Sequence, residues 1–105
     1  MAVNNVEIKL ENNILHVSGD LDFNNVMSLY QQSIQLFAKQ SSVITIDFSG
    51  LTTTNSVVLA LIINWIRYAN TLGKTISLQN LSQEVMWLAK GAGLDKVIAP
   101  VAAST

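Results

Sequence analysis

Five of the ten residues from Asp47 to Ser56 carry hydroxyls: Ser49, Thr52, Thr53, Thr54 and Ser56. The stretch reads Asp47-Phe48-Ser49-Gly50-Leu51-Thr52-Thr53-Thr54-Asn55-Ser56 and runs directly into the apolar Val57–Ile63. A serine at the start of a helix lies where unpaired backbone N–H groups converge. Such a hydroxyl has three uses. It can cap the helix, which contributes about 1 kcal/mol. It can accept a phosphate, whose charge the positive end of the helix favours. It can attack a substrate if a base activates it. Ser56, His16 and Asp47 supply the residue types of a nucleophile–base–acid trio. Nothing in their local sequence brings the three together, so no catalytic residue is assigned.

His16 is the single histidine, and the chain has no cysteine. That set assembles neither a metal centre nor a thiol nucleophile. His16 is expected to face solvent or to hydrogen-bond. Asp20 and Asp22 bracket Leu21 after Gly19, and turn and cap chemistry is the expected role. No glycine-rich phosphate loop is present. No metal and no cofactor is expected.

The elements that position these residues follow from pattern. At 105 residues the chain is expected to be one domain, 1–105, with frayed tails at 1–4 and 100–105. Half the residues are hydrophobic and 12% are charged, enough for a core without disulfides. A net charge of -1 gives no electrostatic footprint for nucleic acid or anionic lipid. The longest unbroken apolar run is Val57–Ile63, far short of the roughly 20 residues a spanning helix needs. The N-terminus lacks a basic segment followed by an apolar one, so no secretory signal is expected. A cytoplasmic location is the expectation.

Val6–Leu10 and Ile14–Ser18 alternate as two strands of a hairpin around Asn12-Asn13. Asn24 or Asn25 is expected to cap a first helix carrying Val26, Leu29, Tyr30, Ile34 and Phe37, which ends near Lys39–Ser41. A third strand is expected over Ser42–Asp47, apolar on both faces in part as a central strand. Ser56 is expected to cap a second helix that reaches Leu72 and stops at Gly73. Thr75–Gln79 reads as a fourth strand. Asn80 or Ser82 caps a third helix with Val85, Leu88 and Ala89 on one face, ending at Gly91-Ala92-Gly93. Val97-Ile98-Ala99 is a candidate last strand. Strands alternating with helices imply crossovers and parallel pairing. The fold class is α/β: a mixed four- to five-stranded sheet with three to four helices packed against it.

The second helix is apolar nearly all round. Val57, Val58, Leu61, Ile62, Trp65, Ile66 and Ala69 form one stripe, and Leu59 and Ile63 fall on another side, followed by Arg67. Either neighbouring elements flank that second side, or it meets a protein partner beside Ser56. Met86 and Trp87 lie off the stripe of the third helix. They are either rim packing or a second contact patch.

Asp47-Phe48-Ser49-Gly50-Leu51 followed by Asn55-Ser56 and an apolar helix resembles the STAS domain of anti-sigma factor antagonists. So do Val17-Ser18-Gly19-Asp20-Leu21-Asp22 and the late Ala89-Lys90-Gly91-Ala92-Gly93-Leu94-Asp95-Lys96-Val97. The resemblance covers nearly the whole chain. It implies a non-catalytic interaction module with two branches. One is the small STAS subunit of the Mla phospholipid-transport ABC complex, which contacts an ABC ATPase at the inner membrane. The other is an antagonist phosphorylated at the position of Ser56 by an anti-sigma factor kinase. The resemblance implies partner contacts at Thr54, Asn55, Ser56, Leu59, Ile63 and Arg67, with Ser56 as the phosphorylation candidate. The size of the chain and the start of its second helix suit the transporter branch. The sequence departs from the family at Asn55-Ser56-Val57-Val58, where the family usually has an acid before the hydroxyl and small residues, often glycine, after it. Val57 and Val58 are expected to crowd the hydroxyl.

Overall fold

The computed structural model describes residues 6–94. Strands β1 (Val6–Glu11) and β2 (Ile14–Gly19) form the hairpin. Asn12 and Asn13 turn it with φ of 52° and 63°, the paired positive values of a two-residue turn that follows strand twist. Helix α1 (Val26–Phe37), strand β3 (Val43–Leu51), helix α2 (Ser56–Thr71), strand β4 (Thr75–Gln79) and helix α3 (Gln83–Gly91) follow. The sheet order is β1-β2-β3-β4. β1 and β2 are antiparallel, while β2–β3 and β3–β4 are parallel. This is the α/β class and mixed sheet the alternation implies, with four strands and three helices among the described residues. The candidate strand at 97–99 and the tails lie outside them.

Leu15, Val17, Ile44, Ile46, Phe48, Ile76 and Leu78 are buried and alternate with polar neighbours, so they share one face of the sheet. Leu29 and Phe37 of α1, the buried side of α2, and Val85 and Ala89 of α3 join the same cluster. All three helices therefore cover one face. The other face carries Lys9, His16, Thr45, Asp47 and Ser49. The expectation of a central strand apolar on both faces is corrected here, because Val43 is exposed and polar residues fill the outer positions of β3. Parallel pairs are usually covered on both faces. Here polar side chains occupy the face that a second helical layer would cover.

Helix α2 is the middle of the helical layer and packs against α1, α3 and β4. That explains its apolar circumference: Val57, Val58, Leu59, Leu61, Ile62, Trp65 and Ala69 are all buried. Trp65 Nε1 donates to Ser33 Oγ at 2.6 Å, and Ser33 Oγ donates to the Tyr30 carbonyl at 2.7 Å. The one polar atom of the largest core side chain is thus paired. Gly73, with φ of +69°, ends α2, and the Lys74 N–H turns back to the Ala69 carbonyl at 2.9 Å. Helix α1 has no basic residue in its last turn. Lys74 supplies one from across the fold, donating to the carbonyls of Phe37 at 2.8 Å and Gln40 at 3.0 Å.

Candidate functional site

Strand β3 does not end at Asp47. It continues to Leu51, and Ser18 and Gly19 pair with Gly50 and Leu51 after the register slips by one residue past the His16–Asp47 pair. The slip is a bulge in β3 at Phe48-Ser49. Asp47 holds it in place. Its carboxylate accepts from the Ser49 N–H at 3.2 Å, Ser49 Oγ at 2.8 Å, Asn80 Nδ2 at 2.7 Å and His16 Nδ1 at 3.1 Å. Burial alone would raise the pKa of this group. The hydrogen bonds from Asn80, Ser49 and His16 outweigh that and hold it down to about 2. Gly50 is required where the two strands close up: a Cβ there would lie 2.8 Å from Ser18 Cβ.

The hydroxyl-rich stretch is therefore half strand, and only residues 52–55 form the loop. That loop is locked to the end of β2. The Thr52 N–H and Oγ1 both donate to the Gly19 carbonyl, at 2.8 and 3.0 Å. Buried Thr53 accepts from the Leu21 N–H at 2.6 Å and donates to Asp20 Oδ1 at 2.9 Å. Asp22 then starts the approach to α1. Its Oδ1 accepts from the N–H groups of Asn24 and Asn25, and Asn25 Oδ1 accepts from the Asp22 N–H in return. This reciprocal pair is a capping box one turn before α1 proper. Asn25 occupies the cap position without the expected side-chain cap bond to α1; Asp22 does that work a turn earlier.

At the start of α2 the cap is Asn55, whose Oδ1 accepts from the Val57 N–H at 3.0 Å. The expectation that Ser56 caps the helix is corrected: Ser56 is the first helical residue. Its hydroxyl is exposed and forms no hydrogen bond to another described residue. Val57 and Val58 point into the core, at 3% and 0% exposure, so they do not crowd it. The helix start leaves the Ser56 hydroxyl open on one side.

Two grooves flank this helix start. An open one of about 650 Å³ lies between α2 and α3, lined by Thr54, Ser56, Leu59, Glu84, Trp87, Leu88, Gly91 and Ala92. A smaller one of about 220 Å³ lies between α1 and α2, with Phe23, Met27, Tyr30 and Ala60 on its walls. Phe23, Met27, Trp87 and Leu88 are four of the six exposed large hydrophobic residues described. The other two, Val43 and Leu72, lie elsewhere. Exposed apolar side chains clustered around one helix start mark an interaction surface.

The structure thus brings Thr54, Ser56 and Leu59 to one groove, with Asn55 exposed beside them. Leu59 is only 5% exposed, so it forms a wall of the groove rather than a free contact. Ile63 is half-buried and Arg67 exposed further along α2, and neither lines either groove. Leu88, expected on the core face of α3, is 40% exposed and joins Trp87 at the groove, while Met86 packs against the core. Glu84, Gly91, Ala92, Phe23 and Met27 carry no such expectation from sequence. Their membership depends on how α1 and α3 sit beside α2. His16 and Asp47 do meet, but on the outer face of the sheet, whereas Ser56 belongs to the helical layer. The trio is not assembled. Among the described residues no cluster of metal-ligating side chains occurs, and no helix is long and apolar enough to cross a membrane.

The family model described as "Mlab, STAS domain" matches residues 4–100. Among solved structures, a chain of the Acinetobacter MlaFEDB complex in its ATP-bound Vtrans2 conformation is similar, with a TM-score of 0.72 at 24% identity over 87% of this chain and 95% of that one. The anti-sigma factor antagonist SpoIIAA in its unphosphorylated form has a TM-score of 0.66 at 17% identity, over 87% of this chain and 83% of that one. An anti-sigma factor antagonist from Mycobacterium paratuberculosis has a TM-score of 0.64 at 21% identity, over 88% and 80%. No curated protein matches by sequence. The solved structures share the fold, and the family model spans nearly the whole chain with its strand-end, loop and helix-start motifs interlocked as described: the chain belongs to the STAS domain family of the Mlab type.

Proposed function

We propose that this chain is a non-catalytic accessory subunit that docks on the ATPase of an Mla-type phospholipid-transport ABC complex. It would act at the cytoplasmic side of the inner membrane, held there by its partner. The observation that carries this reading is the clustering of Phe23, Met27, Trp87 and Leu88 around the start of α2. A single domain of this size gains little by exposing four large apolar side chains in one region unless another protein covers them. The family description and the similarity to a chain of the MlaFEDB complex supply the kind of partner. Thr54, Asn55 and Ser56 are the proposed centre of the contact, with Leu59 as its apolar wall. Ile63 and Arg67 extend it along α2.

One observation favours a second reading, an anti-sigma factor antagonist switched by phosphorylation of Ser56. The hydroxyl is exposed, forms no hydrogen bond to another described residue and sits at the first helical position, where the helix dipole favours an added phosphate. Affinity capture of the tagged chain from its source cell, followed by mass spectrometry of what co-purifies, separates the two. Recovery of an ABC ATPase with its permease is the expected result. Recovery of a histidine-kinase-like anti-sigma factor, with phosphate on Ser56, contradicts the transporter reading and supports the other.

A further inference from the structure

Strand β1 is an edge of the sheet, and among the described residues nothing pairs with its outer side. From Val6 to Glu11 it holds an unbroken register with β2 and contains no proline. Glu11 and Ile14 flank the two-residue turn and form its closing hydrogen-bonded pair. Bonding alternates along an antiparallel pair, so Glu7, Lys9 and Glu11 direct their backbone groups to β2. The N–H and C=O groups of Val6, Ile8 and Leu10 point outward at the edge. The side chains alternate as well. Val6, Ile8 and Leu10 are half-buried and pack against the core, while Glu7, Lys9 and Glu11 are exposed on the outer face. The core is thus left partly open along this strand. Bulges, prolines and inward-pointing charges blunt such edges in other sheets. Strand β1 has none of them. Outward charges of one sign would repel a second copy, but here both signs alternate two residues apart.

We propose that the edge of β1 pairs with β1 of a second copy of this chain, antiparallel, about a two-fold axis through Ile8. The outward backbone groups of Ile8 then bond those of its equivalent, and Val6 exchanges bonds with Leu10 of the second copy. Between these pairs Glu7 falls directly opposite the second copy's Lys9, and Lys9 opposite its Glu7. These are the closely spaced, non-hydrogen-bonded positions, where opposite charges stabilise a sheet. The charges also select this register. Sliding the strands by two residues opposes Lys9 to Lys9 in one direction and Glu7 to Glu7 in the other. Sliding by one sets the aliphatic row of one copy beside the charged row of the other. In the proposed register Val6, Ile8 and Leu10 of both copies close into one apolar row that covers what the edge leaves exposed. The axis stands perpendicular to the sheet, so the helical layers share one side. The two α2 starts then lie at opposite ends of the joint sheet, clear of the seam. Such a dimer presents the surface around α2 twice.

Glu7 and Lys9 are exposed, so their charges can be exchanged without touching the core. Sedimentation velocity of the full chain is measured from about 5 to 500 μM at about 0.05 M salt, where ion pairs are least screened. The samples are the wild type, Lys9→Glu and the double variant Glu7→Lys/Lys9→Glu. The wild type is expected to pass from monomer to dimer as concentration rises, as a short seam implies. Lys9→Glu opposes like charges in the proposed register and in both slides by two. It should weaken dimerisation by about tenfold or more at an unchanged melting temperature. The double variant restores opposite charges across the seam and should return dimerisation to within about threefold of the wild type. A wild type that stays monomeric at the highest concentration overturns the proposal. So does a dimer that Lys9→Glu leaves within about twofold of the wild type, because another surface then holds it. A double variant no better than Lys9→Glu alone also overturns it, since the loss would then not come from Glu7 meeting Lys9.

Discussion

At Asp47, burial and hydrogen bonding act in opposite directions, and the hydrogen bonds win. Two bonds from Ser49 and one each from Asn80 and His16 hold the carboxyl at about 2, below its ordinary 3.8. A pKa lowered on folding stabilises the native state above the unfolded value. That contribution is fully present above about pH 4 and is lost as pH falls toward 2. Allowing for solvent screening, it is worth about 1–2 kcal/mol. Asp47→Asn should therefore lower neutral-pH stability by that amount and flatten the acid limb of a urea-denaturation series. An acid limb identical to the wild type would show that the bulge does not depend on the charge. Sequence offered Asp47 as the acid of a trio with Ser56 and His16. It could not show that His16, Ser49 and Asn80 converge there, since two of the three arrive from other strands or their ends.

Among the elements, those with a local signal were legible and those shaped by pairing were not. Strand β4 alternates, and Gly73 and Ser82 mark the end of α2 and the start of α3, so their bounds follow from sequence. Strand β3 runs four residues beyond Asp47 because a bulge keeps it paired to β2. Ser49-Gly50 reads locally as a turn, and only the neighbouring strand overrides that. Asn55 and Ser56 are both good caps by type, and chain geometry chose Asn55. The loop between β3 and α2 is an element in its own right, closed onto β2 by Thr52 and Thr53. Thr53→Val keeps the volume but removes the acceptor for the Leu21 N–H and the donor to Asp20. Leaving a buried N–H unpaired costs about 1–3 kcal/mol. Denaturant titration should show that loss. A change below about 0.5 kcal/mol would mean that the lock contributes nothing net.

The whole molecule has two unlike faces. One side of the sheet is open and polar. The other carries a helical layer whose middle helix begins between two apolar grooves. The α/β class, the mixed sheet and the family were legible because the motifs fall at strand ends and helix starts, where residue type is most constrained. The grooves were not, since they arise from the spacing of α1, α2 and α3 rather than from any one segment. Trp87 was visible as an outlier on its helix, but its neighbours Glu84 and Gly91 acquire meaning only across from Ser56. The start of α2 and its flanking grooves are the proposed docking surface. Hydrogen exchange of the chain, free and bound to the proposed ATPase partner, tests it most directly. Slowed exchange is expected across residues 52–59 and 84–92, with β1 and β2 unchanged. Slowing confined to the strands around His16 and Thr45, with residues 52–59 unaffected, would contradict it.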